Sequence, residues 1–101
     1  MDLSVVIPVF NEAGSIALLV DEVCRCLDGG LDYEIVVVDD GSNDSTPDVL
    51  QDDRRKHPRL RVLRHGSRCG QSAAIGSGVL AARAPWIATL DGDGQNDPAD
   101  I

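Results

Sequence analysis

Residues 34–42 read Glu34-Ile35-Val36-Val37-Val38-Asp39-Asp40-Gly41-Ser42. Apart from its first residue, the run before the acids is β-branched and apolar throughout, with no alternation of inward and outward side chains. That composition suits a strand covered on both faces, as a parallel sheet requires. The acid pair with its glycine and serine then closes the strand as a turn. A second run of the same character, Leu3 to Val9, ends in Pro8-Val9-Phe10-Asn11-Glu12. Between the two, Ile16, Leu19, Val20, Val23 and Leu27 recur at helical spacing on one face, and Gly29-Gly30 ends that segment. Strand, helix and strand in this order make a β-α-β unit, which sets the fold class.

Beyond the unit, Asp44-Ser45-Thr46-Pro47 offers capping side chains and a first-turn proline for a second helix, expected to run to about Lys56. Leu60, Val62 and Arg64 alternate with Arg59 and Arg61, so a third strand carries charge on one face and belongs at the sheet edge. His57 and His65 flank it and are expected to be solvated. Ser72 to Ala82 predicts a helix whose Ala73, Ala74, Gly76 and Gly78 allow close approach to the sheet. Each glycine inside it costs about 1 kcal/mol against alanine, so close packing or a nearby ligand must justify them. Trp86 to Leu90 predicts a fourth strand, and Asn96-Asp97-Pro98 the start of a further helix. The expected architecture is a three-layer α/β/α sandwich with a mainly parallel sheet in the order 3-2-1-4, a Rossmann-like arrangement.

With 101 residues, 43% of them hydrophobic, the chain has the length of one small domain. Its formal net charge of −8 would repel a nucleic-acid backbone over most of the surface, which argues against a general DNA or RNA binder. The charge is segregated: residues 1–52 carry −11, residues 53–83 carry +7 and residues 84–101 carry −4. The three cysteines, Cys24, Cys26 and Cys69, are odd in number and lack metal-knuckle spacing, so reduced thiols in a cytosolic compartment are expected, with Cys69 partly buried. No apolar run approaches the roughly 18 residues of a membrane span. A membrane, if involved, is expected to be met from its cytosolic side. Because the chain stops just as a helix begins, it is expected to be part of something longer.

Ligands of open α/β sheets bind beyond the carboxyl ends of the strands, and the polar residues obey that rule. The first strand leads into Phe10-Asn11-Glu12, the second ends in Asp39-Asp40 and the fourth in Asp91-Gly92-Asp93-Gly94-Gln95. Asp91 and Asp93 can aim two hard oxygen ligands at one divalent cation, with Gln95 adding a carbonyl, and oxygen-only ligands suit Mg2+ or Mn2+ and not zinc. Taken alone, Asp-Gly-Asp reads more readily as a turn; its place after a buried strand, facing two more acidic loops, favours the cation. A calcium loop is disfavoured because Asn96 stands where that loop needs glycine. Asp39 and Asp40 suit a base or ribose better than helix capping, which Ser42 or Asp44 can perform. No Gly-x-Gly-x-x-Gly follows the first strand and no Walker loop is present, which disfavours a nicotinamide dehydrogenase or a P-loop enzyme. In the basic stretch, Arg68 is the residue expected to reach a phosphate, helped by the positive end of the helix that follows.

Taken together, Val5 to Glu12, Ile35 to Ser42 and Thr89 to Pro98 resemble the motifs of family-2 glycosyltransferases of the GT-A fold. The resemblance is strongest to the bacterial dolichyl- or polyprenyl-phosphate mannosyltransferase-like branch, and Gly70-Gln71-Ser72-Ala73-Ala74 adds a fourth match. It implies that Pro8, Phe10, Glu12, Asp39 and Asp40 bind GDP or UDP, with Arg68, Gly70 and Gln71 near the diphosphate. It implies equally that Asp91, Asp93 and Gln95 hold Mg2+ or Mn2+, with Asp91 and Asp93 at the catalytic centre. Arg68 stands where the family commonly has asparagine. The implied reaction is inverting transfer of a sugar, mannose or a related hexose, from a GDP- or UDP-sugar to a polyprenyl phosphate at the cytosolic membrane face. Residues 1–101 would then be the donor-binding part, lacking the acceptor-binding half and inactive alone. Two rivals stand beside it: a phosphotransferase or phosphatase with Asp91 as nucleophile, and a non-catalytic fragment that self-associates, for instance as a homodimer.

Overall fold

The structure is a computed structural model that describes residues 1–91. Its elements run β1 (Leu3–Val9), α1 (Ile16–Leu27), β2 (Tyr33–Asp39), α2 (Thr46–Lys56), β3 (Leu60–Arg64), α3 (Gln71–Ala81) and β4 (Trp86–Thr89). The strands form one parallel sheet in the order β3-β2-β1-β4, as expected from the sequence. The third helix begins one residue before its predicted start, and β4 stops one residue before its predicted end. The helix expected at Asn96 lies outside the described residues.

The absence of alternation in the first two strands has the predicted meaning. Val5, Ile7 and Val9 of β1 join Ile35 and Val37 of β2 on one face, packed with Ile16, Leu19, Val20, Val23 and Leu27 of α1 and Leu50 of α2. Val6, Val36 and Val38 face the other way and meet Ala74 of α3. Burying each such side chain contributes roughly 1.5–3 kcal/mol. The division of helices follows from handedness: the chain steps outward from β1 to β3 and then returns across the sheet to β4. Right-handed crossovers in opposite directions place their helices on opposite faces.

The return also makes β1 the place where the winding reverses, with β2 on one side and β4 on the other. The β1–β4 ladder closes with Leu90 N–H donating to Val6 O at 3.1 Å. The next β1 residue directed at that edge is Pro8, which has no N–H to give, so Asp91 leaves the sheet there. A crevice at such a reversal is where α/β sheets bind ligands.

Two expectations fail. His57 and His65 are half-buried, because each end of β3 places its histidine between polar partners: Asp21 and Asp53 for His57, Asp40 and Ser77 for His65. Cys69, expected to be partly buried, is exposed because its loop lies on the surface of the sheet's carboxyl rim.

Candidate functional site

The loops after β1 and β2 are tied to each other before any ligand is considered. Asn11 takes a left-handed conformation, φ 53°, that asparagine tolerates better than most residues. Its N–H donates to Ser42 Oγ at 2.9 Å, and its Oδ1 accepts from Asn43 N–H at 3.0 Å. Glu12 N–H donates to Thr46 Oγ1 at 3.0 Å, while its carboxylate accepts from the hydroxyl of Ser15. Gly41, at φ +76°, lies against the backbone of the loop before α3: a β-carbon there would stand 2.7 Å from Arg68 N and from the Ser67 carbonyl carbon. Only glycine fits that approach.

The two aspartates behind this turn do different work. Asp40 is consumed by the protein: its carboxylate accepts Cys69 N–H, Gly70 N–H and His65 Nδ1, each at 2.8 Å. Burial pushes its carboxyl upward, but those hydrogen bonds outweigh the burial and hold it below the usual carboxylate range. The other ring nitrogen of His65 pairs with Ser77 Oγ at 2.8 Å, so Asp40, His65 and Ser77 form a chain from β2 to α3. Asp39 is only 1% exposed; Oδ1 accepts from Ser42 N–H at 2.9 Å, whereas Oδ2 has no hydrogen-bond partner among the described residues. The guanidinium of Arg64 comes no closer to it than 3.8 Å.

Around this rim, the Arg68 guanidinium carbon lies 4.1 Å from the centre of the Phe10 ring. The stack leaves Arg68 exposed and directed by an aromatic face. Gln71, at the start of α3, donates its amide to Asp91 Oδ1 at 3.0 Å, which joins the loop after β3 to the segment after β4. Pro8 is buried in β1, one residue before the strand's end at Val9. Gly70, at φ 104°, begins α3 with its N–H spent on Asp40. Of the expected site residues, Phe10, Glu12, Asp39, Asp40, Arg68, Gly70, Gln71 and Asp91 therefore lie at one rim, on its loops or at the ends of β2 and α3. Asp93 and Gln95 lie outside the described residues. His65 was missed; its position directly after an edge strand, at the same rim as the acid pair, was the available signal.

A rim of this build fits the pattern found by comparison: residues 4–101 match the family model described as glycosyl transferase family 2. The chain belongs to glycosyl transferase family 2. A dodecaprenyl-phosphate galacturonate synthase of Rhizobium johnstonii is 40% identical over 106 residues, covering 100% of this chain and 30% of that protein. A dolichyl-phosphate beta-glucosyltransferase of Trichomonas vaginalis is 34% identical, covering 88% of this chain and 28% of its own length. Among solved structures, a mannosyltransferase of Pyrobaculum calidifontis in complex with GDP-Man and Mn2+ superposes with TM-score 0.81 at 29% identity, over 90% of this chain and 27% of that one. TarS of S. aureus in complex with UDP-GlcNAc gives 0.82 at 26% identity, over 92% of this chain and 27% of that one. These neighbours establish the GT-A fold. This family-2 chain spans about 30% of the length of the curated relatives it matches. Among the described residues, no helix is long and apolar enough to cross a membrane.

Proposed function

We propose that this chain is the donor-binding part of an inverting glycosyltransferase that moves a hexose, mannose or a related sugar, from a GDP- or UDP-sugar to a polyprenyl phosphate at the cytosolic face of a membrane. The observation that carries the donor site is Asp39 Oδ2, a buried carboxylate oxygen without a hydrogen-bond partner among the described residues, at the crevice where the sheet winding reverses. Leaving such an atom unpaired costs about 1–3 kcal/mol, which a hydrogen-bond donor on a nucleobase or ribose would recover. Arg68, steadied on Phe10, suits the diphosphate, and Glu12 and Asp40 hold the loops that shape the pocket. The solved neighbours named with GDP-Man and UDP-GlcNAc support this placement, and the relatives named for polyprenyl and dolichyl phosphates support the acceptor class.

The donor set at the end of β4 fits a hard divalent ion, since Asp91 presents a half-buried carboxylate already oriented by Gln71. Mg2+ or Mn2+ held by Asp91 and Asp93, with Gln95, would neutralise the departing nucleoside diphosphate as a Lewis acid. The acceptor phosphate carries its own nucleophile: with a second pKa near ~6 it is ionised at neutral pH and needs little general-base help. Its oxygen attacks the anomeric carbon from the face opposite the diphosphate. The bond from that carbon to the diphosphate oxygen breaks with its electron pair, and the configuration inverts. The work left to the protein is positioning and charge neutralisation.

Calorimetry of the 101-residue chain with GDP-mannose, GDP and UDP, with and without Mn2+, tests the donor site. Metal-dependent binding is expected for at least one nucleotide, weakened tenfold or more by Asp39→Asn. No metal-dependent heat for any nucleotide, or unchanged affinity in D39N, would overturn the reading.

A further inference from the structure

Two buried side-chain oxygens lack a hydrogen-bond partner among the described residues: Asp39 Oδ2, at the donor rim, and Asp53 Oδ2, far from it. Asp53 lies in the last turns of α2, is 4% exposed, and belongs to a second cluster. His57, the residue that caps α2, points Nε2 at Asp21 Oδ1 of α1, 2.6 Å away, and at Asp53 Oδ1, 3.6 Å away. One ligand atom from each of the three residues falls within 4.8 Å of the other two.

The arithmetic of donors and acceptors does not close. Two carboxylates converge on a single N–H, so only Asp21 is properly served, and the more buried carboxylate keeps an orphaned oxygen. Burial pushes the Asp53 carboxyl above its ordinary range; His57 pulls it back and Asp21 pushes it further up. The comparison with Asp40, His65 and Cys69, which also lie within 4.8 Å of one another, is instructive. There both oxygens of Asp40 are occupied by N–H donors, so the group is complete without a ligand.

We propose that Asp21, Asp53 and His57 form a binding site for a zinc-like divalent transition metal that clips α1 to α2, away from the rim that serves the sugar donor. The ion takes the place of the proton on His57 Nε2, which leaves to solvent, and its two positive charges offset the two carboxylates. One imidazole and two carboxylates is a donor set that zinc accepts, at about 2.0–2.2 Å per ligand, with water in the fourth position. Asp53 in α2 and His57 at its C-cap already converge to 3.6 Å, so one short segment supplies two ligands. Asp21 is half-exposed and free to move the few tenths of an ångström that separate a hydrogen bond from a shared ion. Behind the ring, Nδ1 lies 3.6 Å from Cys24 Sγ, a partner that fixes the orientation of the imidazole while Nε2 binds metal.

The test is zinc titration of the metal-free 101-residue chain by calorimetry and thermal melting, beside the variants Asp21→Asn, His57→Gln and Asp91→Asn. Asp21→Asn alters a half-exposed surface side chain and keeps the fold. The expected result is one zinc equivalent that raises Tm by roughly 5 °C or more at saturating metal. Its affinity falls at least tenfold in D21N, disappears in H57Q and persists in D91N, which separates this site from the rim. Cobalt in place of zinc should give the intense visible bands of a tetrahedral site, again lost in H57Q. No zinc uptake by the unaltered chain, or uptake and Tm shift unchanged in both D21N and H57Q, overturns the proposal.

Discussion

Glu34 enters the sheet as the second residue of β2 with 2% of its surface exposed, where an unpaired carboxylate would cost several kcal/mol. Three donors meet it: Ser4 Oγ at 2.6 Å, Arg61 Nη1 at 2.7 Å and Arg83 N–H at 2.7 Å. Ser4 Oγ in turn accepts Ala84 N–H at 3.1 Å, so one carboxylate joins β1, β2, β3 and the turn before β4. Burial pushes its carboxyl upward, yet the bonds from Ser4, Arg61 and Arg83 prevail and hold it below its ordinary value. A carboxyl depressed in the folded state contributes stability that is complete above the unfolded value, near ~4.3, and is lost as pH falls through the folded one. Asp40 is depressed in the same sense and acts in the same direction. Glu34→Gln should therefore cost roughly 2–4 kcal/mol at neutral pH. It should also flatten the loss of stability between pH 5 and pH 2 relative to the unaltered chain, as denaturant titrations across about that range would show. An acid limb as steep in the variant as in the parent would refute this role. None of it was legible in the sequence, where Glu34 is merely the polar residue that opens an apolar run: its partners lie between 27 and 49 positions away.

At the scale of the element, α3 shows how two identical residues can have opposite consequences. Gly78 faces the sheet, and a β-carbon there would stand 2.4 Å from Val6 Cγ1 and 3.2 Å from Val38 Cγ2. Those valines are fully buried and stiff about χ1, so they cannot swing aside. Gly76, two residues earlier, is exposed, and a β-carbon there would meet nothing within 4 Å. Gly76→Ala should stabilise the chain by about 1 kcal/mol through helix propensity. For Gly78→Ala the same gain is set against overpacking of about 1–3 kcal/mol, and a net loss is expected. Thermal melts that shift both variants the same way would contradict this account. The sequence showed that this helix approaches the sheet closely, since its composition said so. It could not show which glycine makes the contact, because α3 lacks a clear apolar stripe from which a phase could be read.

For the molecule as a whole, strand order, helix spacing and the gathering of acidic loops at one rim were all legible, since each follows from local pattern and the handedness of crossovers. The division of labour inside the acid pair was not. Asp39 and Asp40 are neighbours with the same side chain, yet Asp40 is saturated by the loop before α3 and Asp39 keeps an oxygen without a hydrogen-bond partner among the described residues. The histidines were misjudged for the same reason, since a residue beside an edge strand is solvated only if nothing else folds over it. A different consequence follows from the edge made by β4. Trp86, the only tryptophan, is 75% exposed there, beside the exposed Ile87. An indole already in water has little to lose when the chain unfolds, so intrinsic fluorescence should change little across a transition that circular dichroism reports in full. Whatever covers that edge, another strand or a helix, should instead move the emission to the blue, which makes Trp86 a built-in optical reporter of occupancy along the open side of the sheet.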